Sequence, residues 1–143
     1  MNCVDASVSA KWIFPEEYSG QAEALANDAR AAGERLVAPP LLPSEVSNII
    51  RKHMRQEALS LEDARERFRE FQDYPVFLTE VQGLYDMALV IADRYNLPAA
   101  YDGIYVALAQ LRGEELWTDD RRLLNRLGGR LAFVKWIGNY PAV

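Results

Sequence analysis

The sequence predicts an α/β domain built on a mainly parallel sheet with helices covering both faces. Three observations point there. Short β-type runs alternate with longer segments of helical periodicity from one end of the chain to the other. The short runs are apolar along their length, the pattern of strands buried on both sides. The chain has 143 residues, half of them apolar and 26% charged, enough to bury a core without disulfides or a structural metal. One domain spanning 1–143 is expected, with no linker, internal repeat or low-complexity segment.

Each element has its own justification. Asn2 to Val4 is a β-type run ending at Asp5. Gln21 to Ala32 reads as a helix with Ala22, Leu25, Ala29 and Ala32 on one face, closed by Gly33. Leu36 to Ala38 is a second strand, cut by Pro39 and Pro40. A helix carrying Val46, Ile49, Ile50 and Met54 follows. Ser60 to Asp63 resembles a capping box and opens a helix with Leu61, Ala64, Phe68 and Phe71 on one stripe. Val76 to Leu78 is a strand candidate after Pro75. Leu84, Met87, Ala88, Ile91 and Tyr95 mark a helix ending before Pro98. Ile104, Leu108 and Leu111 mark another, stopped by Gly113. Leu116 to Thr118 is a strand, Arg121 to Leu127 a short helix closed by Gly128 and Gly129, and Phe133 to Trp136 the last strand.

Charge and rare residues bound the function. Asp+Glu number 21 against 16 Lys+Arg, a net charge of −5 that argues against gripping nucleic acid by bulk positive charge. It leaves open an enzyme whose carboxylates bind cations. A single cysteine, Cys3, excludes an internal disulfide and a cysteine-based metal site, and a single histidine, His53, excludes a paired-histidine site. No apolar run reaches the roughly 20 residues that span a bilayer. The start MNCVDASVSAKW has no basic stretch leading into an apolar one, so no secretory leader is expected and the default compartment is the cytoplasm.

In open parallel sheets, ligands bind beyond the carboxyl ends of the strands. Asp5 follows the first strand, Glu45 lies early in the helix after the second, Asp102 starts the helix of Ile104, and Asp119 and Asp120 follow the strand Leu116–Thr118. Singly, such acids are commonly caps or dipole partners worth roughly 0.3–1 kcal/mol. Together on one sheet edge they would repel, and a divalent cation removes that conflict. A carboxylate set without thiols or paired imidazoles selects hard ions, Mg²⁺ or Mn²⁺.

The segments Val4-Asp5-Ala6-Ser7, Pro43 to Asn48, Tyr101 to Ala109 and Trp117 to Leu123 resemble the PIN domain, and within it the VapC-like toxin ribonucleases of toxin–antitoxin pairs. The likeness runs from Val4 to about Tyr140. It implies a three-layer α/β/α sandwich on a five-stranded parallel sheet, and a Mg²⁺- or Mn²⁺-dependent endoribonuclease. The family's acids carry over as Asp5, Glu45, Asp102 and Asp120, the last from the Thr-x-Asp pattern Thr118-Asp119-Asp120, with Asp119 in reserve. Gly103 departs from the pattern, since relatives more often have alanine there. The resemblance also implies 5′-phosphate and 3′-hydroxyl products, a VapB-like antitoxin whose tail blocks the acidic pocket, a homodimer, and promoter DNA bound only through the antitoxin.

Other residues receive lesser roles. Ser7 and Thr118 would aim the carboxylates, and Asn48, three residues after Glu45, is a candidate for the same pocket. Lys11, Arg121 and Arg122, with Arg126 and Arg130 behind them, are candidate contacts for RNA or antitoxin. Arg51, Lys52 and Arg55 read as a solvated helix face and His53 as a surface or interface residue. Cys3 reads as a small buried apolar residue. Trp12, Trp117 and Trp136 adjoin or occupy β-type runs and read as core. Two rivals remain: a PIN scaffold that binds RNA or a partner without cutting, and a Mg²⁺-binding phosphoacceptor receiver domain. The lone Asp5 on the first strand disfavours the latter.

Overall fold

A computed structural model of the chain describes residues 1–142. Its centre is a five-stranded sheet in which every pairing is parallel. The strands are β1 (Cys3–Val4), β2 (Leu36–Ala38), β3 (Val76–Leu78), β4 (Leu116–Thr118) and β5 (Val134–Trp136), in the order β3-β2-β1-β4-β5. The three central strands are fully buried, as their unbroken apolar runs require. The order excludes the receiver reading, because that doubly wound fold runs 2-1-3-4-5.

Among the described residues the α-helices are α1 (Ala6–Ile13), α2 (Ser19–Ala31), α3 (Leu42–Gln56), α4 (Leu61–Gln72), α5 (Leu84–Arg94), α6 (Ile104–Arg112) and α7 (Arg121–Leu127). From β1 to β3 the chain steps outward in one direction. It then crosses back to β4 and continues to β5. Parallel crossovers are right-handed, so the reversal places α1–α4 on one face and α5–α7 on the other. The packing agrees: α1 contacts α2, α3 and α4, while α5 packs on α6. The direction changes between β1 and β4, and the carboxyl ends of those two strands therefore flank the switch point.

Some expectations needed correction. The apolar runs mark no element between Asp5 and Gln21, yet α1 fills Ala6–Ile13, because seven of its eight residues are buried and its sequence lacks a polar face to set a period. Trp12 thus lies on a helix and not beside a strand, though it is buried as expected and stacks on Tyr74. Leu61, placed on the core stripe of α4, is 64% exposed, since the helix begins there, one turn short of the core that Ala64 and Phe71 reach. Ala32 is exposed, and Leu111, at 39% exposure, sits on the outer side of α6. At the opening of α4 only half of a capping box forms: Ser60 accepts the Asp63 N–H at 3.1 Å. Cys3 is buried, and Arg51, Lys52 and Arg55 are solvated. His53 stacks on Phe14 and meets Glu57 at 2.7 Å.

Candidate active site

Register decides which loops meet. Cys3 pairs with Leu116 and Val4 with Trp117, so the next residues, Asp5 just beyond β1 and Thr118 at the end of β4, lie side by side. Asp5 caps α1, its Oδ1 accepting from Val8 N at 3.2 Å and from Ser7 Oγ at 2.6 Å. Its Oδ2 accepts from Thr118 Oγ1. The same Thr118 oxygen accepts the Asp120 N–H at 2.9 Å, and Ser7 Oγ accepts the Asp119 N–H at 2.7 Å. Two hydroxyls therefore stitch the end of β1 to the turn after β4. Both also donate to the Asp5 carboxylate.

Four acids line one cavity of about 230 Å³: Asp5, Glu45, Asp102 and Asp120. Asp120 caps α7 through Leu123 N at 3.1 Å. Asp102 sits in a 3₁₀ turn, Ala100–Gly103, that precedes α6 instead of within the helix itself, and its Oδ2 accepts from Ala99 N at 3.0 Å. Glu45, in the first turn of α3, accepts from the Tyr105 hydroxyl. For Asp5, Asp102 and Asp120 the cap reading is thus correct as far as it goes. In Asp102 and Asp120 one carboxylate oxygen serves the fold, in Asp5 both do, and all three groups also line the cavity.

The electrostatics reflect the crowding. Burial pushes the Asp5 carboxyl up to about 6, against hydrogen bonds from Ser7, Thr118 and Val8 N that favour its charged form, and the Asp120 charge adds to the rise. Burial likewise raises Glu45. The Tyr105 hydrogen bond opposes that rise, and the charges of Asp102 and Asp120 reinforce it. Tyr105 is itself pushed up by burial and by Glu45, so its hydroxyl stays protonated and donates.

The family model for the PIN domain matches residues 3–129, a span containing all four acids. The chain is also 33% identical over 128 residues to Ribonuclease VapC3 of Pyrobaculum aerophilum, covering 86% of this chain and 92% of that one. VapC ribonuclease Mb0985 of Mycobacterium bovis and Ribonuclease VapC9 of Mycobacterium tuberculosis are each 36% identical over 104 residues, 70% of this chain and 80% of theirs. The chain belongs to the PIN-domain family.

In this PIN domain the remaining candidates divide. Asp119 faces away from the cavity: its carboxylate takes Lys11 Nζ at 2.9 Å, Trp136 Nε1 at 2.8 Å and Arg121 Nε at 3.2 Å. Burial pushes its carboxyl up, but the hydrogen bonds from Lys11 and Trp136 outweigh that and hold it below the usual range. Lys11, expected to meet RNA or antitoxin, is buried and held between Asp119 and Glu16. Asn48 is exposed and Ile49 takes the place at the cavity wall. Tyr105 escaped the sequence reading. Its position three residues after Asp102, on the same side of the helical path, was the available clue. A buried tyrosine hydroxyl also needs a partner, which Glu45 provides.

The donor set fits a hard divalent ion. All four groups are carboxylates, and their mutual repulsion is what a cation relieves. Among the described residues no three acid, thiol or imidazole groups close tightly enough to enclose an ion.

Proposed function

We propose that this PIN domain is a Mg²⁺- or Mn²⁺-dependent endoribonuclease, the toxin half of a toxin–antitoxin pair. The observation that carries the reading is the convergence of Asp5, Glu45, Asp102 and Asp120 on one cavity at the sheet's switch point. Relatives named VapC ribonucleases support the substrate.

When bound, the ion offsets charge on the phosphoryl oxygens and lowers the pKa of a bound water. Asp5, Asp102 and Asp120 would hold it directly or through water, while Glu45 would hold a second ion or orient the attacking water. Water oxygen bonds to phosphorus, the P–O3′ bond breaks, and the products are a 5′-phosphate and a 3′-hydroxyl. Ser7 and Thr118 keep Asp5 fixed, and Tyr105 keeps Glu45 fixed, so little reorganisation precedes the reaction.

The same reading carries a VapB-like antitoxin whose tail covers the acidic cavity, a homodimer, a cytoplasmic location, and promoter DNA bound only through the antitoxin. Among the described residues no helix is long and apolar enough to cross a membrane.

Purified protein incubated with structured RNAs tests the proposal. Cleavage is expected with Mg²⁺ or Mn²⁺ and none with EDTA or in Asp5→Asn. Sequencing RNA 5′ ends after brief induction in cells would identify the target. Wild-type protein that binds RNA yet cuts none of it with either metal would replace the proposal with the scaffold reading.

A further inference from the structure

We infer that the groove lined by Leu97, Pro98, Arg122, Asn125 and Arg126 is a subsite for the nucleotide adjoining the scissile phosphate, with Arg122 as its phosphate contact and Asn125 as its base-reading group. The inference rests on the ribonuclease reading and adds to it the residues that choose the cleavage site.

Continuity comes first. The groove and the acid cavity share Asp102, Asp120 and Leu123, so whatever fills one lies against the occupant of the other. Its volume of about 580 Å³ exceeds that of the acid cavity and falls within the roughly 300–1,000 Å³ typical of ligand sites. The walls are mixed. Leu97 and Pro98 offer apolar surface to a base, while Arg122, Asn125 and Arg126 present polar groups from one face of α7, at spacings of three and four residues.

Commitment of the side chains singles out Arg122. Arg121 is tied to Asp119 and lies 4.5 Å from the Trp136 ring centre. Arg126 donates to Asn96 O, and Arg130 donates to Leu127 O and Arg126 O while covering Tyr95. Arg122, in the same cluster, makes no hydrogen bond or ion pair with the described residues, and neither does the Asn125 amide. A guanidinium in the groove that Asp102 and Asp120 also line is what a polyanionic strand requires to approach the acids. A base can enter the groove only if it is unstacked and unpaired, which directs the subsite to loops and single strands.

The test uses a short fluorescein-labelled single-stranded RNA and the full chain in EDTA at about 50 mM salt, where phosphate contacts weigh most. Arg122→Ala should weaken binding about tenfold, the loss of one charged hydrogen-bonded contact. It should also lower the salt slope by about 1. Arg69→Ala, on the distant α4 and paired with Glu66, should leave both unchanged. With Mg²⁺ and a random-sequence RNA pool, Asn125→Ala should alter the base found next to the cut. The subsite is overturned if wild type does not bind, if Arg122→Ala binds and cuts as wild type does, or if Arg69→Ala weakens binding equally. Loss of the ribonuclease reading looks different: wild type cuts nothing with either metal, while the binding difference between wild type and Arg122→Ala persists.

Discussion

Thr118 donates its hydroxyl hydrogen to Asp5 across the boundary between β4 and β1, so the carboxylate at the centre of the acid cavity is held by a neighbouring strand as well as by its own helix. That hydroxyl favours the charged form of a group that burial pushes towards the neutral one. Thr118→Val should therefore raise the Asp5 pKa further and move the acidic limb of the cleavage pH profile to higher pH. A profile that stays in place while turnover falls would mean that Thr118 only fills space.

Asp5 also makes the metal-free fold sensitive to pH. Its folded pKa of about 6 stands above the ordinary 3.8, so between those values the folded chain keeps a proton that the unfolded chain has released. Stability falls as pH rises through that window, by on the order of 3 kcal/mol. Asp5→Asn cannot ionise and should flatten the slope, leaving the same-signed contribution of Glu45 and the opposite-signed one of Asp119, whose carboxyl is held low in the fold. Urea denaturation in EDTA across the window reads it directly, and an equal slope in both proteins would refute the assignment.

Tyr105→Phe removes the donor to Glu45 while preserving the ring. The cost in stability should be about 1 kcal/mol. Glu45 should then become harder to ionise, because the bond that favours its charged form is gone. Turnover should fall at low pH and recover at high pH. A uniform loss at every pH would assign Tyr105 to packing alone.

Gly103 is fixed by the approach of a neighbouring helix: a Cβ there would lie 2.7 Å from the Ala88 carbonyl oxygen on α5. Gly103→Ala should cost about 1–3 kcal/mol despite alanine's better helix propensity. Because Asp102 is the preceding residue, affinity for Mg²⁺ should weaken as well. Calorimetric titration with Mg²⁺ separates that effect from simple destabilisation.

Lys11→Met should destabilise the fold by about 2–4 kcal/mol, because it leaves Asp119 without its buried cation. The folded fraction should retain the wild-type KM and salt dependence. A raised KM would restore Lys11 as an RNA contact.

The alternation of strand and helix was legible because buried strands and amphipathic helices leave different periods, and the acid positions were legible because each follows a strand or opens a helix. Directions were harder to read. Asp119 and Asp120 are adjacent and chemically identical: the resemblance to the Thr-x-Asp pattern points to Asp120 with Asp119 in reserve, and the Lys11 ion pair gives the physical reason why Asp119 turns elsewhere. Lys11 itself looks like a surface lysine until α1 proves buried on nearly every side. The groove beside the acids was legible only as an arginine-rich stretch. Which arginine stays available depends on distant partners such as Asn96 and Trp136.

The pair Asp119-Asp120 sends its two carboxylates in opposite directions, with the preceding Thr118 and the Ser7 hydroxyl gripping their backbone amides. Such a turn is length-locked. Removing one residue ahead of the pair would turn Asp120 towards Lys11 and bring Arg121 to the cavity position, while adding one would bring Asp119 to the cavity and take Lys11's partner away. Substitutions at this corner can be graded, but a change in residue count there acts as an all-or-none lesion.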